Sequence, residues 1–406
     1  MGLLTRTYWT LAAAGAAYML ALIALTVPSI QRNATYAHNV NPARWQDLSD
    51  VEYFGLIKQQ VQPFTVKTID EEILYCWHIL PLHLYKEHQS TLQATPKLAD
   101  YSVASQQPNL RLLLENPEAR LVILFHGNAA HLGSGHRVPT YQNFLSLSTP
   151  ERPVHVIGFD YRGFGLSSGS PTEDGVILDG VTLLSALTGH DKPSSPTDFT
   201  DKVIQSMTSS NSTISADRIV LVGQSLGTFV SSATYHAWTL QLQRPAPKAL
   251  VLFASFPSLP KLLDTYSIKG LTPPLLSPLI AWPYLQSIFL GKIVDKWETV
   301  RRLTELVRAP DVPLDLTIIH AKNDWEVLWG NGRENWEAIL EEVGSKEVYA
   351  EKIKTGEEAW TRLRWDGGAA KVVRWELLEH GGHNRLTTSE QGKLAVWEAL
   401  DAPRRV

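Results

Sequence analysis

Short β-rich apolar runs recur along the chain at 121–125, 154–159, 219–222, 249–253, 316–319 and 372–378. Between them lie stretches with helical periodicity at 173–187, 226–242, 333–343 and 389–400. Strands alternating with helices predict a mostly parallel, doubly wound α/β sheet with helices on both faces. Ahead of the alternation, 64–68 and 73–80 read as two antiparallel strands added at one edge.

Four stretches depart from that rhythm. Residues 7–30 contain no charge, and about 20 helical residues span the roughly 30 Å hydrocarbon layer of a bilayer. A signal peptide is the rival reading, but its apolar region usually runs only about 7 to 15 residues, so residues 1–31 are expected to form an uncleaved transmembrane anchor. Arg6 and Arg32 flank the segment and leave its orientation open, and the sequons at Asn33 and Asn211 are compatible with an external or lumenal body. A linker over 32–62 and a main domain over 63–406 follow from this division. Residues 88–117 and 188–217, polar and rich in Ser, Thr and Pro, read as surface excursions. The fourth stretch, 256–308, is strongly apolar and carries no charge over 271–291. Pro273, Pro274, Pro278 and Pro283 argue against a second membrane helix, since each removes a backbone donor and clashes with the preceding turn. It is read as a helical lid whose Leu275, Trp282 and Phe289 face an acyl chain or a bilayer, the alternative being simple packing on the main core.

Composition narrows the chemistry. The 406 residues carry a net charge of −4, which offers no basic face to nucleic acid, and neither a phosphate-cradling glycine loop nor zinc-type Cys/His spacing occurs. No metal or organic cofactor is expected. Cys76, the single cysteine, lies in a strand-like run between Tyr75 and Trp77 and is not expected to be a thiol nucleophile.

The candidate chemistry starts at Gly223-Gln224-Ser225-Leu226-Gly227, directly behind the apolar run 218–222 and ahead of a helix. Strand, tight turn and helix are the context of a nucleophile elbow, in which flanking glycines let a strained turn push a serine hydroxyl out above the sheet. A serine hydroxyl needs an imidazole to take its proton and a carboxylate to orient that imidazole. On such a sheet the partners follow in the order acid, then histidine, each in a loop after a strand. Asp324 follows the run 316–319 and His383 the run 372–378, and the Gly381-Gly382 pair frees His383 to reach a neighbouring loop. Glu326 and His380 are the competing acid and base. Oxyanion donors are expected from the amide of Leu226, directly after the nucleophile, and from Asn128 in His126-Gly127-Asn128-Ala129-Ala130. His126 itself reads as a buried structural imidazole bonded to backbone.

Phe125-His126-Gly127-Asn128-Ala129, Gly135-His136-Arg137, the run from Phe159-Asp160-Tyr161-Arg162 through Gly169, Gly223-Gln224-Ser225-Leu226-Gly227-Thr228 and Ile319-His320-Ala321 together resemble the membrane-anchored α/β-hydrolase-domain lipases, which cleave monoacylglycerol and lysophosphatidylserine. The resemblance runs from about Phe64 to the C-terminus, includes the N-terminal anchor, and is most specific from Phe125 to Gly169. It implies the α/β-hydrolase fold with a lid insertion, a triad of Ser225, Asp324 and His383, a lipid ester substrate, and a single-pass membrane location, the endoplasmic reticulum being the expected membrane. It also makes 160–169 a structural turn that supports the oxyanion loop, with Asp160 bonding backbone. The segment between Asp324 and His383 is longer than usual in that family, and the Gly-Gly-His-Asn form looks more like other hydrolases of the superfamily. A serine peptidase, a short-chain or thioester hydrolase, and a non-catalytic scaffold on the same fold are the alternatives.

Overall fold

The structure, a computed structural model, describes residues 2–40, 43, 45–94, 108–190, 213–267, 276–344, 349–353 and 360–401. Asn211 and Leu275 lie outside the described residues. Among the described residues ten strands form one sheet: β1 (Val61–Lys67), β2 (Ile73–Ile79), β3 (Arg120–Phe125), β4 (Val154–Phe159), β5 (Ile219–Gln224), β6 (Ala249–Phe253), β7 (Leu314–Ala321), β8 (Tyr349–Ile353), β9 (Trp360–Gly367) and β10 (Ala369–Leu378). Their order is β1-β2-β4-β3-β5-β6-β7-β10-β9-β8, with β4 through β10 of that order mutually parallel. The β1–β2 hairpin is added antiparallel at one edge, as expected, and β9 and β8 extend the other edge antiparallel. Strands β8 and β9 lie within the long stretch between Asp324 and His383; only the flanking helix Trp329–Val343 and strand β10 were visible in the apolar pattern.

The parallel strands are mostly apolar because both of their faces are covered, the buried Asp315, Arg374 and Glu376 of β7 and β10 being exceptions. Leu121, Ile123 and Phe125 of β3 join one core cluster, and Val122 and Leu124 join the other. Helices Glu173–Thr188, Leu226–His236, Thr299–Arg308 and Trp329–Val343 contribute to the first cluster, while Arg137–Leu145 and Glu390–Asp401 close the second. Of the expected excursion at 88–117, helix Pro108–Glu115 packs inward with Leu113 fully buried.

The stretch 256–308 divides in two. Its last helix, Thr299–Arg308, is a core crossover between β6 and β7 that buries Leu303, Leu306 and Val307. Helices Leu259–Thr265 and Pro283–Gly291 rise over the C-terminal ends of the strands. At the N-terminus, helix Leu3–Ala24 has 22 residues, about 33 Å at about 1.5 Å each, enough to cross a bilayer. The segment read as a linker begins inside a second helix, Pro28–Tyr36, which is fastened to the body: Arg32 forms two hydrogen bonds to Asp295, at 3.0 and 3.1 Å, and Trp297 Nε1 donates to the buried Tyr36 hydroxyl at 3.0 Å.

Candidate active site

Ser225 sits between β5 and helix Leu226–His236 with φ +52° and ψ −121°, a conformation that costs a non-glycine residue of the order of 1–3 kcal/mol. The flanking glycines make the turn possible. A Cβ on Gly227 would lie 1.9 Å from the Phe125 carbonyl oxygen, and one on Gly223 would lie 2.4 Å from that of Gly227. No side chain fits at either position, so the chain can double back and leave the half-buried serine at the floor of a cavity of about 450 Å³.

The acid and histidine loops meet at that cavity. His383 Nδ1 lies 2.9 Å from Asp324 Oδ2, while Asp324 Oδ1 accepts the amides of Glu326 and Val327 at 2.9 and 3.0 Å. Burial alone would raise the Asp324 pKa, but hydrogen bonds from His320 and His383, with their charges, hold the carboxyl well below the ordinary carboxylate range. Burial likewise pulls His383 down, and the Asp324 hydrogen bond and the Asp324 and Glu326 charges outweigh it, leaving the imidazole above its usual 6.5. Nδ1 therefore carries the proton that faces Asp324, and Nε2 is the basic nitrogen in the neutral ring. Glu326 lies 4.0 Å from Nε2, on the opposite side from Asp324, and His380 is exposed. The Gly381-Gly382 pair is tied to the acid loop. Both amides donate to Asn323 Oδ1, at 3.0 and 2.8 Å, so one asparagine ties the histidine loop to the acid loop.

The loop after β3 approaches Ser225 closely, since a Cβ on Gly127 would stand 3.5 Å from Ser225 Cβ. Among the described residues neither the Leu226 nor the Asn128 amide has a protein partner, and both residues line the cavity. Ala129 and Ala130 follow with φ +59° and +58°, and the buried Arg137 guanidinium holds this loop by donating to the carbonyls of Gly127, Asn128, Ala129 and His131. Drawing those carbonyls toward Arg137 turns the loop's amides the other way. His126 is structural in geometry, with Nδ1 2.7 Å from the Gly127 carbonyl, and Asp160 Oδ1 accepts the Leu132 amide at 2.7 Å.

Two side chains without a role in the sequence reading complete the floor. Gln224 Oε1 lies 2.6 Å from His136 Nε2, and Gln224 Nε2 donates to the His383 carbonyl and to Asn384 Oδ1, each at 3.2 Å. Burial, only partly offset by the bond to Gln224, lowers the His136 pKa to about 4, so His136 is the neutral donor of that pair. The only sequence signal for His136 and Arg137 was their place in the Gly135-His136-Arg137 run.

The lid residues divide. Phe289 lines the cavity. Trp282 does not: it precedes Pro283 at the start of its helix and is 61% exposed. Leu276, Leu262 and Leu263 form the inner apolar lining instead.

A family model described as the alpha/beta hydrolase family matches residues 122–396. Lysophosphatidylserine lipase ABHD12 of Danio rerio is 30% identical over 156 residues, which is 38% of this chain and 35% of that relative. Protein bem46 of Schizosaccharomyces pombe is 40% identical over 82 residues, 20% of this chain and 25% of the relative. The matched stretches thus span about a third or less of these relatives' own lengths. An alpha-beta hydrolase from Vibrio vulnificus superposes with a TM-score of 0.51 over 90% of this chain and 92% of its own, at 13% identity, a likeness of fold alone.

Proposed function

The chain belongs to the alpha/beta hydrolase family, and on that premise we propose that it is a membrane-anchored serine hydrolase cleaving acyl esters of glycerol or lysophospholipids. The observation that carries the reading is the 2.9 Å contact of His383 Nδ1 with Asp324 at the cavity whose floor is the strained Ser225. The similarity to lysophosphatidylserine lipases, the apolar lining of the cavity and the N-terminal helix of 22 residues support a lipid ester as substrate and a bilayer as its source.

In this mechanism Ser225 Oγ attacks the ester carbonyl while His383 Nε2 takes its proton. Asp324 holds the ring in the Nδ1–H tautomer and stabilises the imidazolium that forms. The Leu226 and Asn128 amides receive the oxyanion of the tetrahedral intermediate. Collapse of that intermediate expels the glycerol-side alcohol, which leaves with the proton from His383, and Ser225 retains the acyl group. Water, deprotonated by His383, then attacks the acyl-enzyme; the second intermediate releases the fatty acid and restores the serine.

The test is fatty-acid release by the purified full-length protein in detergent from a long-chain monoacylglycerol and from lysophosphatidylserine. The reading expects release from at least one of them, lost in Ser225→Ala. Activity confined to peptides or to short esters would overturn the lipid assignment.

A further inference from the structure

Helix Leu3–Ala24 is exposed along nearly its whole length, as an anchor would be, but one side of its last turn is covered: Leu22 is buried, while Ala21 and Ile23 beside it stay exposed. Leu22 is 8% exposed and clusters with Leu276 and Leu279 of the lid, with Tyr18 and Met19 packed beside them. Leu22, Leu25 and Thr26 line the same cavity as Ser225 and His383. This end of the helix is fixed in place. Gln31 Nε2 donates to the Leu25 carbonyl at 2.8 Å and to the Lys292 carbonyl at 3.2 Å, and its Oε1 accepts the Val294 amide at 2.7 Å. One carboxamide thus joins the end of the anchor to the chain that leaves the lid. The next helix is also tied to the oxyanion loop, through Asn128 Nδ2 donating to the Thr35 carbonyl at 2.8 Å.

We infer that the last turn of the membrane helix is a wall of the acyl-binding site, and that the acyl chain reaches Ser225 between this turn and the lid helix Pro283–Gly291, directly from the hydrocarbon layer. This rests on the lipid-ester reading above. The lid's outer face fits the same arrangement: Ile280 is 64% exposed, Trp282 61% and Tyr284 80%, an apolar and aromatic patch suited to the bilayer boundary beside the anchor. An acyl chain passing this way stays in apolar surroundings from membrane to active site, which removes the cost of exposing each methylene to water. The anchor then sets which chain lengths fit, beyond holding the enzyme at the membrane.

The experiment is the ratio of turnover on octadecanoyl to butanoyl monoacylglycerol, measured on the full-length protein in phospholipid nanodiscs. Leu22→Trp and Thr26→Trp narrow the passage and should lower the ratio about tenfold, the worth of roughly two buried methylenes. Leu22→Ala widens it and should raise the ratio. Loss of folding cannot imitate shifts of opposite sign. Leu11→Trp, at a position 68% exposed on the same helix and away from the cavity, should leave the ratio unchanged. Ratios that do not move in any Leu22 or Thr26 variant, or that move equally in Leu11→Trp, overturn the inference while leaving the lipid-ester reading standing. A wild-type protein inactive on every long-chain ester overturns that reading itself.

Discussion

Gln224 donates through its side-chain amide to the main-chain carbonyl of His383 at 3.2 Å, although the two residues stand 159 positions apart. The residue next to Ser225 therefore holds the loop that carries His383. It is held in turn by His136, whose pKa of about 4 keeps it a neutral donor across the working range.

Gln224→Ala should consequently lower kcat by roughly 10²-fold, the order of loss expected when a base is displaced by about 1 Å. KM on a short soluble ester should change little. Gln224→Glu should be equally damaging, because a carboxylate offers no donor to the His383 carbonyl. Steady-state kinetics on p-nitrophenyl butyrate decides the matter, and wild-type kcat in both variants would show that the His383 loop stands without this bridge.

The choice of acid and base follows from which side chains meet. Asp324→Asn should cost about 10⁴ in kcat by disturbing the tautomer of His383, and His383→Ala should cost a comparable amount. Glu326→Gln and His380→Ala should each retain most activity, since the first side chain only faces Nε2 from 4.0 Å and the second is exposed. A dead His380→Ala beside an active His383→Ala would reverse the assignment of the base.

Only neutral His383 can accept the serine proton, so kcat/KM on a soluble ester should fall as pH drops through the His383 pKa, which its acidic neighbours hold above 6.5. Glu326 supplies part of that upward push. Removing its charge in Glu326→Gln should move the acid limb to lower pH, with the maximal rate little changed. A limb that stays in place, or moves to higher pH, contradicts the electrostatic account.

Arg137→Lys should lower kcat by roughly 10²–10³, the usual loss on removing an oxyanion donor. An ammonium cannot fork to the four carbonyls that the guanidinium holds, and Ala129 and Ala130 are then free to relax from positive φ. KM on a short ester should be nearly unchanged. Equal rise of KM with constant kcat would mean that Arg137 shapes substrate binding and not the oxyanion loop.

What could be read from the chain alone was whatever short-range sterics or strand burial dictates. Gly223 and Gly227 stand out because any side chain there would collide with backbone, and the strand runs stand out because both faces of the sheet are covered. Asp324 and His383 emerge from their places after β7 and β10. The rest depends on pairs far apart in sequence. Arg32 meets Asp295 across 263 positions and His136 meets Gln224 across 88, and neither pair leaves a local pattern. For the same reason the helix Pro28–Tyr36 is split in the sequence reading between the anchor and a linker, and that reading, which has Trp282 facing an acyl chain or a bilayer, does not reveal that it lies exposed and outside the cavity.

The central claim is that Ser225 is an activated nucleophile, and an alkyl fluorophosphonate tests it most directly. The full-length protein should gain one covalent adduct, on the peptide containing Ser225. Labelling should be absent in Ser225→Ala and strongly slowed in His383→Ala, where no imidazole remains to take the proton. An unlabelled wild-type protein, or an adduct on another residue that persists in Ser225→Ala, would contradict the account.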